Sequence, residues 1–339
     1  MRINFLIEET DSSSEQNGIL NAATRFAESL RKNGVDVDIN GKGYDYDIIH
    51  THVPSPKYIY KFKKARKKGI KIITHAHTTV EDVKGSFTLT ENKNILKILK
   101  KYLIYFYNQG DLVLTPSIWS MKTLKRGGVK TRINVISNGV DIEKFKLNEK
   151  KGMKFRKEYG VKRDEIIVYS VGMVFLRKGI DTFRLVAKKL PNIKFFWIGK
   201  KYRSIKINPI KTYKVFNGLP ENCKFLGFVE DIIGAHSGGD IFFFPSYVEN
   251  QGIVILEAAS IGKPIIVRDI PVYKNWLYHG ENCLKGKKTA DFVKNIERLL
   301  GNERLRQKLV KNSRELAEKN DLRKISKQMI SIYENLLNS

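Results

Sequence analysis

Short, strand-like runs rich in apolar residues alternate with longer segments of helical spacing from one end of this chain to the other, and the alternation runs through twice. In the first half, Ile3–Ile7, Val35–Ile39, Asp47–His50, Ile70–Thr74, Leu112–Thr115 and Asn134–Ile136 read as strands. Residues 18–33 place Ile19, Ala22, Ala23, Phe26 and Leu30 at helical spacing and stop at Gly34. Apolar strands joined by helices describe a parallel sheet, because a parallel crossover needs a helix and the helices cover both faces. After a break near 146–155 the pattern restarts. Ile166–Val171, Lys194–Ile198, Cys223–Leu226, Ile241–Phe244 and Pro264–Val267 read as strands, residues 180–189 as a helix, and 303–337 as a charged helical stretch. A chain of 339 residues is long enough for two such cores. The expected fold is α/β, with two Rossmann-like, doubly wound parallel-sheet domains facing a cleft. Residues 1–150 form the first and 151–339 the second, and the last helix, about 320–337, packs back on the first. Ligands of such sheets sit at the carboxyl ends of the strands, so the loops after these strands are where chemistry is sought.

Composition narrows the function classes. The formal charge of +27 suits an anionic partner, or a general surplus of solvated Lys and Arg. Nucleic acid is favoured by charge alone, because none of the usual nucleic-acid-binding sequence patterns is present. Cys223 and Cys283 form no metal-binding pair and fit a reducing cytoplasm. Residues 1–7 are followed at once by Glu8, Glu9 and Asp11, so they read as a first strand rather than a signal peptide. No apolar run of about 18 residues occurs, and any membrane contact is expected to be peripheral. Neither half has a GxGxxG after its first strand and no Walker A motif occurs, which argues against a nicotinamide dinucleotide site. Gly18, at the start of the first helix, either shapes a turn or lets backbone approach a phosphate or sugar.

The most informative segment follows the strand Ile241–Phe244: Pro245-Ser246-Tyr247-Val248-Glu249-Asn250-Gln251-Gly252-Ile253-Val254-Ile255-Leu256-Glu257-Ala258-Ala259. Gly252 allows a sharp turn into a helix whose free N–H groups can meet a phosphate or sugar. Glu249 lies on the loop side of that turn. Glu257 lies about one and a half turns into the helix, where a carboxylate can accept hydrogen bonds from a ribose diol. In the first half, Thr74-His75-Ala76-His77 with Glu81 and Asp82 invites a metal reading. It is set aside because the acids stand apart and the cysteines are remote. His50 and His52 follow another strand and either line a cleft or serve the structure.

These segments resemble the family 4 retaining glycosyltransferases, which have the GT-B fold. Pro245 to Ala258 is similar to their Pro-Ser-x-x-Glu…Gly…Glu-Ala signature. Asn138-Gly139-Val140-Asp141 with Phe145 resembles their interdomain segment. Val171-Gly172 through Arg177-Lys178-Gly179, and Leu114-Thr115-Pro116-Ser117, match two further segments in the family's order. The resemblance implies a nucleotide-sugar donor, retention at the anomeric carbon, and no cofactor or metal. It implies that Glu249 holds donor-sugar hydroxyls and Glu257 the ribose. Asn250, Gln251 and Gly252 would offer backbone N–H groups, Lys178 would neutralise the leaving diphosphate, and His77 would stand near the reacting sugar. Asn138 and Gly18 complete the expected donor set. The family's usual Arg corresponds to Met173 here, and Arg177 is expected to replace it.

His75–Phe87 resembles the acceptor region of the members that make diglycosyl diacylglycerols, so a hexose from UDP-glucose or UDP-galactose is expected to go to a glycosyl diacylglycerol. A polyprenyl-linked glycan, a protein or a soluble sugar is the alternative acceptor. Residues 57–71 and 93–107 interleave Lys with Tyr, Phe, Ile and Leu. Such segments suit the anionic inner face of the cytoplasmic membrane, or are core-facing helices with solvated lysines.

Overall fold

The structure is a computed structural model and describes all residues except 8–17, 85, 87 and 201–214. It divides into two compact units, one of Met1–Val83, Asn92–Asn138 and Leu322–Ser339, the other of Lys84–Glu91 and Gly139–Asp321.

The first unit is built on six parallel strands: β1 Arg2–Leu6, β2 Asp36–Ile39, β3 Ile48–Thr51, β4 Lys71–His75, β5 Leu112–Thr115 and β6 Ile133–Val135. Their order is β2-β1-β3-β4-β5-β6. Every residue of β3 and β5 is buried, as expected of strands covered on both faces. The helices Gly18–Lys32, Lys57–Arg66, Lys93–Tyr107 and Ile118–Gly127 supply the crossovers. Ser117 caps the last of these by accepting from the Ser120 backbone N–H, and Gly128 ends it in the left-handed conformation.

The C-terminal helix Leu322–Leu337 belongs to this unit. It buries Leu322, Ile325, Ser326, Met329, Tyr333 and Leu336, a stripe at three- and four-residue spacing, against the core of β1, β3 and the Gly18–Lys32 helix. Ser326 Oγ donates to Ser29 Oγ at 2.7 Å within that contact.

The second unit repeats the plan with β7 Ile167–Val171, β8 Lys194–Ile198, β9 Cys223–Gly227, β10 Ile241–Phe244, β11 Ile265–Arg268 and β12 Leu284–Gly286, in the order β12-β11-β10-β7-β8-β9, all parallel. The hydropathy pattern does not pick out β12, which is three residues long with Lys285 at its centre. The core is aromatic: Phe183 meets Phe195 and Trp197 edge-on, and Phe243 stacks on Phe183. Residues 139–150 count with this unit, ahead of the break that the hydropathy pattern suggests. Phe145 is fully buried there, its carbonyl accepts from Ser260, and Asn148 caps the Glu149–Glu158 helix. Two Rossmann-like parallel sheets flanked by helices make this a GT-B fold.

Candidate functional site

The loop after β10 is held in shape by its neighbours. Gly252 ends it with φ +88°, a left-handed conformation in which a side chain is strained, and the helix Ile253–Ile261 follows. Gly179, φ +81°, closes a single turn over Leu176–Lys178, and a Cβ there would meet the Pro245 carbonyl oxygen at 2.3 Å. Glycine is therefore what lets the Arg177–Lys178 turn lie against the loop. The Tyr247 N–H donates to the Arg177 carbonyl at 2.8 Å, and Ser246 Oγ lies 3.2 Å from the same carbonyl. Arg268, from β11, donates to the Pro245 carbonyl at 2.9 Å and to Thr182 at 2.7 Å, with its guanidinium 3.9 Å over the Tyr247 ring.

This scaffold brings the expected charges together. Lys178 Nζ lies 2.5 Å from Glu249 Oε1, which also accepts from Ser246 Oγ at 2.7 Å. The pair is largely shielded, with side-chain exposures of 16% for Lys178 and 7% for Glu249. Burial by itself raises the Glu249 carboxyl. The Lys178 and Arg177 cations, and hydrogen bonds from Lys178 and Ser246, outweigh it and hold the pKa below the ordinary carboxylate value. Arg177 donates through Nε to Ser86 Oγ at 2.6 Å and is 3.4 Å from the Val248 carbonyl. Asn250 and Gln251 are buried beside Gly252 at the helix entrance.

Glu257, on the following helix, is buried as well. His236 Nε2 stands 3.9 Å from its carboxylate, too far for a hydrogen bond. His236 Nδ1 is 2.9 Å from the Tyr169 hydroxyl. Burial, followed by the Lys263 cation, pushes the His236 pKa down to about 3 despite that carboxylate. Sequence reasoning passed over His236 and Arg268. Neither stands in a motif; the Ile232–Gly238 helix meets the Ile253–Ile261 helix and β11 pairs with β10, and these contacts bring them in.

The remaining expected residues lie elsewhere. His77, after β4 in the first unit, is buried, and its Nε2 is 3.1 Å from His52 Nδ1. Burial pushes its pKa down to about 3, so the ring is neutral. Asn138 is buried at the end of the first unit. Gly18 opens the first helix, but residues 8–17 before it lie outside the described residues.

Residues 153–316 match the family model for glycosyl transferases group 1, and residues 40–144 that for Glycosyltransferase Family 4. The chain is 31% identical over 336 residues to the processive diacylglycerol alpha-glucosyltransferase of Acholeplasma laidlawii, spanning 98% of each. The chain belongs to the family 4 glycosyltransferases. A second relative is the alpha-galactosylglucosyldiacylglycerol synthase of Streptococcus pneumoniae, 30% identical over 81% of this chain and 74% of the relative. Among solved structures, sucrose-phosphate synthase from Thermosynechococcus elongatus superimposes with a TM-score of 0.83 at 18% identity, over the whole of both chains. Anabaena HepE bound to UDP-glucose superimposes with 0.81 at 17% identity, over 99% of this chain and all of that one. Both share the GT-B fold of this glycosyltransferase.

Proposed function

We propose that this enzyme moves a hexose from a UDP-sugar to a glycosyl diacylglycerol, with retention at the anomeric carbon. The observation that carries the acceptor is the match to the diacylglycerol alpha-glucosyltransferase over 98% of both chains. The names of both glycolipid relatives specify α-glycosides. An α-linked product from an α-linked nucleotide sugar is retention, which supports that part of the reading.

In this reading Glu257 accepts from the ribose hydroxyls and Glu249 from the sugar. Asn250, Gln251 and Gly252 present N–H groups at the helix entrance. The departing diphosphate gains charge in the transition state. Lys178 and Arg177 meet that charge, so a metal ion is not needed at this point. Lys178 is paired with Glu249 at 2.5 Å; donor binding therefore has to share its ammonium between carboxylate and phosphate. His77, neutral and bonded to His52, is assigned to a sugar or acceptor hydroxyl in this reading, and Asn138 and Gly18 are assigned to donor binding on the family resemblance alone.

Among the described residues no helix is long and apolar enough to cross a membrane. The Lys93–Tyr107 helix buries Leu103, Phe106 and Tyr107, and leaves Ile98 68% and Tyr105 48% exposed beside the exposed Lys97 and Lys101. On the Lys57–Arg66 helix, Tyr60 is 64% exposed with Lys64 Nζ 4.6 Å from its ring centre. Part of each segment thus faces the core, and the outward part mixes aromatic, aliphatic and basic groups. This supports peripheral attachment to an anionic membrane face, the cytoplasmic one in this reading. The test is a panel of nucleotide sugars offered with a lipid extract, with products identified by mass spectrometry. Hexose added to glycosyl diacylglycerol supports the reading, and transfer only to a polyprenyl-linked or soluble acceptor overturns it.

A further inference from the structure

Two neighbouring strands carry the same spacing, His50-Thr51-His52 at the end of β3 and His75-Ala76-His77 at the end of β4. Residues two apart on a strand share a face. The parallel register sets Thr51 opposite Thr74, which carries His52 level with His75. The four imidazoles therefore form a grid, with ring centres 3.9 Å apart for His75 and His77 and 4.3 Å for His50 and His52. None is more than 8% exposed.

Their hydrogen bonding is one-sided. His50 Nδ1 is 2.7 Å from the hydroxyl of Tyr333, on the C-terminal helix, and His52 Nδ1 is 3.1 Å from His77 Nε2. Nε2 of His50, Nε2 of His52 and both nitrogens of His75 are buried without a hydrogen-bond partner in the protein. An unpartnered buried polar atom costs about 1–3 kcal/mol, and three residues doing so side by side calls for an explanation. One ligand nitrogen from each of His50, His52 and His75 lies within 4.8 Å of the other two.

We propose that His50, His52 and His75 bind a late first-row divalent cation such as Zn²⁺ or Co²⁺ through three imidazole nitrogens. An all-imidazole set without a carboxylate suits these ions and not Mg²⁺ or Ca²⁺, which take oxygen ligands. The acids Glu81 and Asp82 are not in the set. The partners on the far nitrogens are what a metal-binding imidazole has: Tyr333 holds Nδ1 of His50 and His77 holds Nδ1 of His52, leaving each Nε2 to the ion. Imidazole nitrogens on one tetrahedral zinc stand about 3.3 Å apart, given Zn–N bonds of about 2.0–2.1 Å. Binding an ion therefore requires the three rings to draw in from their spacing of up to 4.8 Å, and three protein ligands leave a fourth position open. The site lies within the first unit beside His77; its test reads metal binding and not sugar transfer, so its failure is distinguishable from failure of the acceptor assignment.

The test uses the full chain, stripped with a chelator, dialysed and titrated with Co²⁺ while the visible d–d absorption is followed. One equivalent should bind, and Zn²⁺ should displace it with loss of the band. His75→Gln should weaken Co²⁺ binding by about 100-fold or more. Tyr333→Phe, which keeps the ring and removes only the hydroxyl, should weaken it by about tenfold. The exposed His279, changed to Gln, serves as the control and should bind as the wild type does. Absence of a band at millimolar Co²⁺ overturns the proposal. So does a band that survives His75→Gln in folded protein, or an affinity unmoved by Tyr333→Phe.

Discussion

Glu249→Gln keeps the shape of the side chain and removes its charge. The amide oxygen of the variant can still accept from Ser246, which stands 2.7 Å from Oε1 of Glu249. Lys178, whose side chain is only 16% exposed, loses its counterion. Breaking a fully buried pair costs about 3–5 kcal/mol; the access to water that Lys178 keeps, and the retained hydrogen bond, reduce this to about 2 kcal/mol. The deficit carries its own pH signature. The folded Glu249 carboxyl lies below its ordinary value, so its stabilisation is present above the unfolded pKa and is lost as pH falls through the folded one. The gap between variant and wild type in denaturant melts should therefore be full at pH 7 and shrink below about pH 4.5. Turnover should fall by about 100-fold, because the sugar loses the group that orients it. The affinity for UDP alone, read by calorimetry, should not weaken, because Lys178 no longer shares its ammonium with the Glu249 carboxylate. A turnover within about threefold of wild type in folded protein would refute the assignment, as would a stability gap that does not close in acid.

Glu257→Ala should weaken donor binding by about 1.5–3 kcal/mol, roughly 10- to 150-fold in Kd, with turnover at saturating donor less affected; an unchanged Kd removes Glu257 from the ribose. The buried His236 adds an acid limit of its own: with a folded pKa of about 3, the unfolded chain alone takes up its proton between about pH 6.5 and 3. Stability should drop by up to about 3 kcal/mol between pH 6.5 and 4 through this group, and His236→Phe should flatten that slope whatever it does to the level at pH 7. Turnover should be the same, within about twofold, with and without added millimolar Mg²⁺ or Mn²⁺, and an absolute requirement for either ion would move the diphosphate charge from Lys178 to a metal. Lys64, Lys97 and Lys101 changed together to Glu should release the protein from anionic vesicles at low salt while leaving UDP affinity intact, since each lysine near such a surface adds about 1 kcal/mol; vesicle binding that persists makes those lysines ordinary solvated surface. Lys61 is left out because its ammonium donates to the Gly41 carbonyl and does not stand free.

What could be read from the chain depended on whether the information was local. The strands β3, β5, β7 and β10 are short, mostly apolar runs, β10 wholly so, and a run of that kind is visible without knowing its neighbours. The Glu249–Glu257 spacing is equally local, since one glycine turn and one helix fix both acids. By contrast, β12 owes its place to the strand beside it, pairing Leu284 with Ile266, and not to its own composition. The ion pair of Lys178 with Glu249 joins residues 71 positions apart and depends on Gly179 fitting against Pro245. The histidines are the sharpest case. Along the chain His75 and His77 sit next to Glu81 and Asp82, and the acids look like their natural companions. The sheet pairs them instead with His50 and His52, because β3 and β4 are neighbours in the order and Thr51 stands opposite Thr74. A shift of one residue in that register would turn one pair of rings to the other face and dissolve the grid. The partner that completes it, Tyr333, comes from a helix 256 positions beyond His77, brought there by a stripe of apolar residues at helical spacing. Motifs could therefore point to each half of the chain, but which imidazoles share a face is a property of strand register and of where the last helix docks.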